Sequence, residues 1–160
     1  MAGEAHGTGE DALTGALALC YGHLARREHS VAELRARLSR AGFCNETIEE
    51  ALAIVGEQGY LNDERYAQLL AQDRRALDGW GAGRIRERLA RAGIDRDVID
   101  TTLEPFDRSS ERDAALELLR RRWARPPDSD PERQRAFGLL IRQGFDSEVA
   151  YDAIREYERH

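Results

Sequence analysis

The side chains with the most chemistry to offer in this chain are arginines. All 24 basic residues are arginine and none is lysine. Every cation is therefore a planar fork able to grip a carboxylate or phosphate through paired hydrogen bonds. Arg84, Arg88 and Arg91 follow i, i+4, i+7 spacing, which puts them on one face of a helix. Arg40, Arg91 and Arg142 each stand two residues before a glycine, and Arg37 and Arg88 match in the same frame. With Arg86, Arg121 and Arg122 these residues make a candidate strip for an anionic partner, protein carboxylates or DNA phosphates. The bland alternative is that a cation in the last turn of a helix complements its dipole, worth roughly 0.3–1 kcal/mol. That covers Arg40, Arg91 and Arg142. It covers Arg37, Arg84, Arg86 and Arg88 less well, since they lie earlier in their helices. In the run Arg120-Arg121-Arg122-Trp123-Ala124-Arg125, adjacent arginines wrap around a helix, so part of it is solvated surface and Trp123 is read as a core anchor.

Other reactive groups do not assemble. His6, His23, His29 and His160 have no metal-ligand spacing with each other or with Cys20 and Cys44. Gly79 to Gly83 follows a helix rather than a strand, so it is no phosphate-binding loop of the P-loop type. No catalytic constellation emerges, so no enzyme, cofactor or metal is expected. The net charge of -6 speaks against a simple polybasic DNA binder. Two cysteines in apolar helical patterns read as reduced thiols of a cytoplasmic protein. No apolar run reaches membrane-spanning length, so no membrane contact is expected. Residues 1–11 are small, polar and acidic and read as a disordered tail.

The elements that must position the arginines are repeated. LRARLSRAGF (Leu34 to Phe43), IRERLARAGI (Ile85 to Ile94) and AFGLLIRQGF (Ala136 to Phe145) superimpose with a 51-residue period. Leu38, Leu89 and Leu140 fall in register, as do Gly42, Gly93 and Gly144, and Phe43, Ile94 and Phe145. Each unit reads as helix, glycine turn, helix, with the glycine as the left-handed stop. Asn45, Asp95 and Asp146 are read as caps of the following helix. Ser30 with Glu33 has the form of a capping box, and Asp130-Pro131 opens the third copy with proline as first helical residue. A further helical stretch precedes each pair, at Ala12 to Glu28, Asn62 to Asp78 and Ser110 to Arg125. The expectation is all-α: three tandem three-helix modules at 12–60, 61–108 and 109–160, stacked as an elongated, curved array. A duplicated bundle folded into one globule is the alternative. The glycine-ended helices carry +2, +3 and +1, and the helices after them -4, -3 and -4. Stacking would sort these into a basic and an acidic ribbon.

Gly59-Tyr60-Leu61-Asn62-Asp63-Glu64-Arg65-Tyr66-Ala67 resembles the most recognisable motif of the RecX family, regulators of the recombinase RecA. Arg27-Glu28-His29-Ser30-Val31-Ala32-Glu33-Leu34 resembles that family's R-x-x-S-x-x-E-L segment, and Ile85 to Ile94 its second module. In physical terms Asn62 caps a helix whose buried face includes Leu61, Tyr66 and Ala67, so the motif is mostly fold. The resemblance implies a cytoplasmic bacterial protein of tandem three-helix modules, without catalysis of its own. It implies binding to RecA filaments on single-stranded DNA, lying in their groove and limiting growth. ATP hydrolysis, strand exchange and repressor cleavage, hence recombination, DNA repair and the SOS response, would be restrained. RecA nucleoprotein filament is the expected partner, single-stranded DNA a second contact, and a monomer the expected state. The alternative reading is a helical protein that binds DNA directly through its basic helices; a third is a scaffold for an unrelated protein.

Overall fold

The computed structural model describes residues 9–160. The described residues form nine α-helices and no strand, as the periodicity requires. In chain order they are α1 (Gly9–Arg26), α2 (Val31–Arg40), α3 (Asn45–Glu57), α4 (Asp63–Asp73), α5 (Ala82–Arg91), α6 (Arg96–Leu103), α7 (Arg108–Arg122), α8 (Asp130–Arg142) and α9 (Ser147–Arg159). A single π-helical turn, Arg74–Asp78, continues α4. Most of the expected acidic tail lies outside the described residues. Its last three residues are instead the first turn of α1, where Glu10 and Asp11 complement the positive end of the helix.

Two compact units divide the chain. Unit 1 runs to Tyr66 and takes in Ala92–Asp95; unit 2 holds Ala67–Arg91 and Arg96–His160. In unit 1, α1 packs on α2 and α3. Its core joins Ala16, Cys20, Leu34, Leu38, Ile48, Ala51, Leu52, Val55 and Leu61. In unit 2, α5 packs on α6, and α7 and α8 on α9. Leu119, Leu140, Phe145, Val149, Ile154 and Tyr157 lie in its core, with Trp123 packed against them. Leu34 and the in-register leucines Leu38, Leu89 and Leu140 are all fully buried, so truncating any of them to alanine would cost about 2–5 kcal/mol.

The glycine stops hold: Gly42, Gly93 and Gly144 have φ of 95°, 77° and 99°. Caps agree in part. Ser30 accepts from Glu33 N and Glu33 answers it, a complete capping box, and Asp146 accepts from Val149 N. Asn45 is not a cap; the position belongs to Cys44, which makes no cap bond to the backbone and instead lies 3.2 Å from Thr47 Oγ1. In the 51-residue frame Cys44, not Asn45, aligns with Asp95 and Asp146. At α8 the cap is Ser129, bonded to Glu132 N, so Asp130 is the first helical residue and Pro131 the second. The helix therefore starts a turn before the equivalent point of α2 and α5.

One joint occurs twice. In unit 1 the start of α2 meets the glycine turn after α5: Ser30 Oγ donates to Ala92 O at 2.6 Å, and a Cβ at Gly93 would collide with Ala32. In unit 2 the start of α5 meets the turn after α8: Gly81 N donates to Gln143 O at 2.6 Å and Gly83 N to Gly144 O at 3.0 Å. Ser30 and Gly81, Ala92 and Gln143, and Gly93 and Gly144 are each 51 residues apart. A carboxylate caps each docked helix start, Asp63 on Val31 N and Glu111 on Ala82 N.

Candidate functional site

Unit 2 brings four of the candidate arginines to one place. Arg84, Arg88 and Arg91 of α5 and Arg142 at the end of α8 line a groove of ≈ 1060 Å³, shared with Trp80, Phe106, Ile141 and the Gly144 turn. The helical spacing of α5 aligns the first three, because Ile85 and Leu89 fix the opposite face in the core. Arg142 comes in because its helix stops at Gly144, and that turn is the seat for α5. Arg88, Arg91 and Arg142 make no ion pair with any described residue. Arg84 donates to the Gln143 side chain and lies 4.2 Å above the Trp80 ring, a stacked cation that keeps its charge.

The acids that share the groove are largely committed elsewhere. Glu111 is buried, pairs with Arg75 and accepts from Ala82 N. Asp146 caps α9. The fifth groove cation, Arg108, is held by Glu148 at 3.0 Å and Asp152 at 2.9 Å. What remains uncommitted is Glu87 against Arg88, Arg91 and Arg142, with Arg84 beside them. The groove is basic within an acidic chain.

Behind it, Arg75 knots unit 2 together. Its guanidinium pairs with Glu111, donates to Trp80 O at 3.0 Å and stacks 4.3 Å from the Phe106 ring. The π turn delivers Arg75 there. It also lets the chain reverse at Gly79 (φ 68°), where any Cβ would meet Leu118 and Arg121.

The other candidates fall elsewhere. Arg86 points away from the groove and pairs with Asp100 at 2.7 Å. Arg121 and Arg122 line a second hollow of ≈ 500 Å³ in unit 2, which Arg84, Trp80 and Gln143 also reach. Arg37 and Arg40 belong to unit 1; both are exposed, and Arg40 bonds only its own helix at Ala36 O, 3.3 Å away. Trp80 and Gln143 escaped the sequence reading because neither residue type nor periodicity marks them; the 4.2 Å stack is visible only in three dimensions.

The motif segments near residues 30 and 63 meet in unit 1. Arg65 pairs with Glu28 at 2.9 Å and donates to Gly59 O, and Asp63 caps Val31 N. Arg27 pairs with Glu33 at 2.9 Å. Burial alone would raise the Glu33 carboxyl, but hydrogen bonds from Arg27, Tyr66 and the Ser30 amide outweigh it and hold it below the usual value. Asn62 caps α4 through Arg65 N, and Leu61, Tyr66 and Ala67 are buried. These recognisable residues build the fold and do not line the groove.

Among the described residues no group of three or more His, Cys, Asp or Glu side chains is placed to hold a metal, and no helix is long and apolar enough to cross a membrane.

Comparison with known proteins covers most of the chain. Residues 16–53, 62–103 and 110–154 match the first, second and third three-helix domains of RecX in turn. A regulatory protein RecX of Deinococcus radiodurans is 36% identical over 149 residues, 93% of this chain and 71% of the relative. One from Amycolatopsis mediterranei is 33% identical over 140 residues, 86% of this chain and 80% of the relative. A crystal structure of RecX from Lactobacillus salivarius has the same fold, with a TM-score of 0.82 over 94% of this chain and 99% of that one, at 18% identity. A second RecX crystal structure, 25% identical, gives 0.75 over 91% and 72%. With three tandem three-helix modules matched in order, this chain belongs to the RecX family of regulatory proteins.

Proposed function

We propose that the chain is a modulator of the RecA recombinase. It binds RecA filaments on single-stranded DNA in the cytoplasm, occupies the filament groove as a monomer and limits filament growth. RecA-dependent ATP hydrolysis, strand exchange and repressor cleavage fall as a result. The observation that carries this reading is the match of all three modules to RecX, in order.

The groove of unit 2 supplies the contact. Arg88, Arg91 and Arg142 have no internal carboxylate to give up, so an acidic partner gains their charge-assisted hydrogen bonds without breaking others. Arg84, stacked on Trp80, is pre-oriented at one end. Arg37, Arg40, Arg121 and Arg122 are further candidates on their own surfaces. Arg86 is a weaker one, because its pairing with Asp100 must be surrendered first.

The test is DNA-dependent ATP hydrolysis by RecA, measured with increasing protein. The wild type suppresses it at substoichiometric amounts. Arg88→Glu/Arg91→Glu/Arg142→Glu keeps its helical signal, since no ion pair is lost, and needs about tenfold more protein or greater for the same suppression. Equal potency of this variant removes the groove from the mechanism. Unchanged ATPase, filament length and strand exchange with equimolar wild type removes the function.

A further inference from the structure

The repeat frame exposes a substitution that the groove does not explain. On the outer side of modules one and two, the same two positions hold an ion pair between the glycine-ended helix and the next: Arg35 with Glu49 at 2.7 Å, and Arg86 with Asp100 at 2.7 Å. Moving 51 residues on, the third module has Phe137 and Tyr151. Their rings stack with centroids 4.7 Å apart and planes 26° from parallel.

Phe137 packs by its inner side against the unit 2 core, but Tyr151 does not belong to that core. Tyr151 is 52% exposed, and Ile141, one turn after Phe137 on α8, is 41% exposed. Phe137 covers one face of the tyrosine ring, so the open area is its other face and edge. Two arginines flank the pair, one on each helix. Gly138 leaves room for the Arg142 guanidinium, which lies 3.1 Å from where a Cβ would stand, in the same turn as Phe137. Arg155, one turn after Tyr151, is exposed and within ion-pair distance of no carboxylate among the described residues, although its charge acts on Asp152, which Arg108 holds. The nearby acid Glu148 is held by Arg108.

A half-open aromatic face flanked by exposed guanidinium groups suits a ligand with a flat π surface and a negative backbone. We propose that Phe137 and Tyr151 form a stacking platform for an unpaired base of single-stranded nucleic acid, with Arg142 and Arg155 taking its phosphates. The platform rests on the RecA reading only in that a filament supplies such a strand. A double helix keeps its base faces stacked and unavailable, so the platform is selective for single strands.

The test uses the full chain and a fluorescein-labelled oligothymidylate at low salt, followed by anisotropy, with an abasic oligomer of equal length as control. Tyr151→Ala weakens oligothymidylate binding by about fivefold to a hundredfold, while Tyr151→Phe stays within about twofold, since stacking needs no hydroxyl. Phe137→Arg/Tyr151→Glu restores the ion pair of the other modules and leaves net charge unchanged; it keeps the fold and loses the same affinity. The abasic oligomer binds all four proteins alike. Equal oligothymidylate binding by wild type and both platform variants, or equal binding of abasic and base-bearing strands by the wild type, overturns the proposal. So does a double variant that binds the oligomer normally but no longer restrains the RecA ATPase, which places a protein on the platform. If the wild type discriminates the strands yet never restrains RecA, the platform stands and the RecA reading falls.

Discussion

Single residues in unit 1 show how closely polar groups are tied to the fold. His29 is 2% exposed, sits in the α1–α2 corner and places Nδ1 3.0 Å from Arg27 O. Burial pushes its pKa below the ordinary 6.5, and the Arg27 cation adds to this. The unfolded chain therefore binds a proton that the native chain refuses. Stability is full above pH 6.5 and falls as the pH drops below it. Urea midpoints taken between pH 7.5 and 5.5 should decline less for His29→Asn than for the wild type; parallel declines would exclude His29 as a contributor. Residue type alone was a poor guide at Cys44. No rule ranks cysteine as a cap, so residue type points to Asn45, although the repeat frame aligns Cys44 with Asp95 and Asp146.

Among the elements, the glycine turns were legible and their neighbours were not. A period of 51 residues exposes Gly42, Gly93 and Gly144 directly, because a stop signal needs only one residue type at one place. The π turn at Arg74–Asp78 left no such mark; it arises from the tertiary demand that Arg75 reach Glu111. Arg86 looked like part of the strip because its partner Asp100 sits on the next helix, fourteen residues away, beyond any helical periodicity. The turns also differ in what they tolerate. Gly144 (φ 99°) is pressed against the Arg84 backbone, whereas Gly59 (φ 81°) has nothing within 4 Å of a Cβ. Gly59→Ala should cost only the left-handed strain, about 1–2 kcal/mol. Gly144→Ala should cost that and a clash, at least about 2 kcal/mol more. Chemical denaturation of the two variants measures the difference, and equal losses would mean the α5 seat is not tight.

For the molecule as a whole, net charge misled least when broken down by helix. The chain totals -6, yet the groove is basic because its acids serve Arg75 and the α9 cap. The all-helical, three-module plan was readable from repeats. The groove membership of Arg142 was not, since it depends on α5 seating on the turn that follows α8. The division into units also yields a prediction. Both tryptophans, Trp80 and Trp123, lie in unit 2, and the buried Cys20 lies in unit 1. The Glu111 and Arg75 side chains are 9% and 16% exposed, so removing the carboxylate strands a cation and costs about 3–5 kcal/mol. Glu111→Ala should lower the urea midpoint seen by tryptophan fluorescence more than that seen by Cys20 labelling; coincident shifts would show that the units unfold as one.

The twice-used joint has an evolutionary consequence. In unit 2 it is made by main-chain N–H and carbonyl groups that every amino acid possesses, and it asks chiefly that Gly81, Gly83 and Gly144 carry no side chain. Side chains away from the joint can therefore change without disturbing how helix start meets turn. The Lactobacillus protein, with fewer than one residue in five in common, still superimposes at 0.82. Drift on that scale leaves the scaffold intact while the outward faces change.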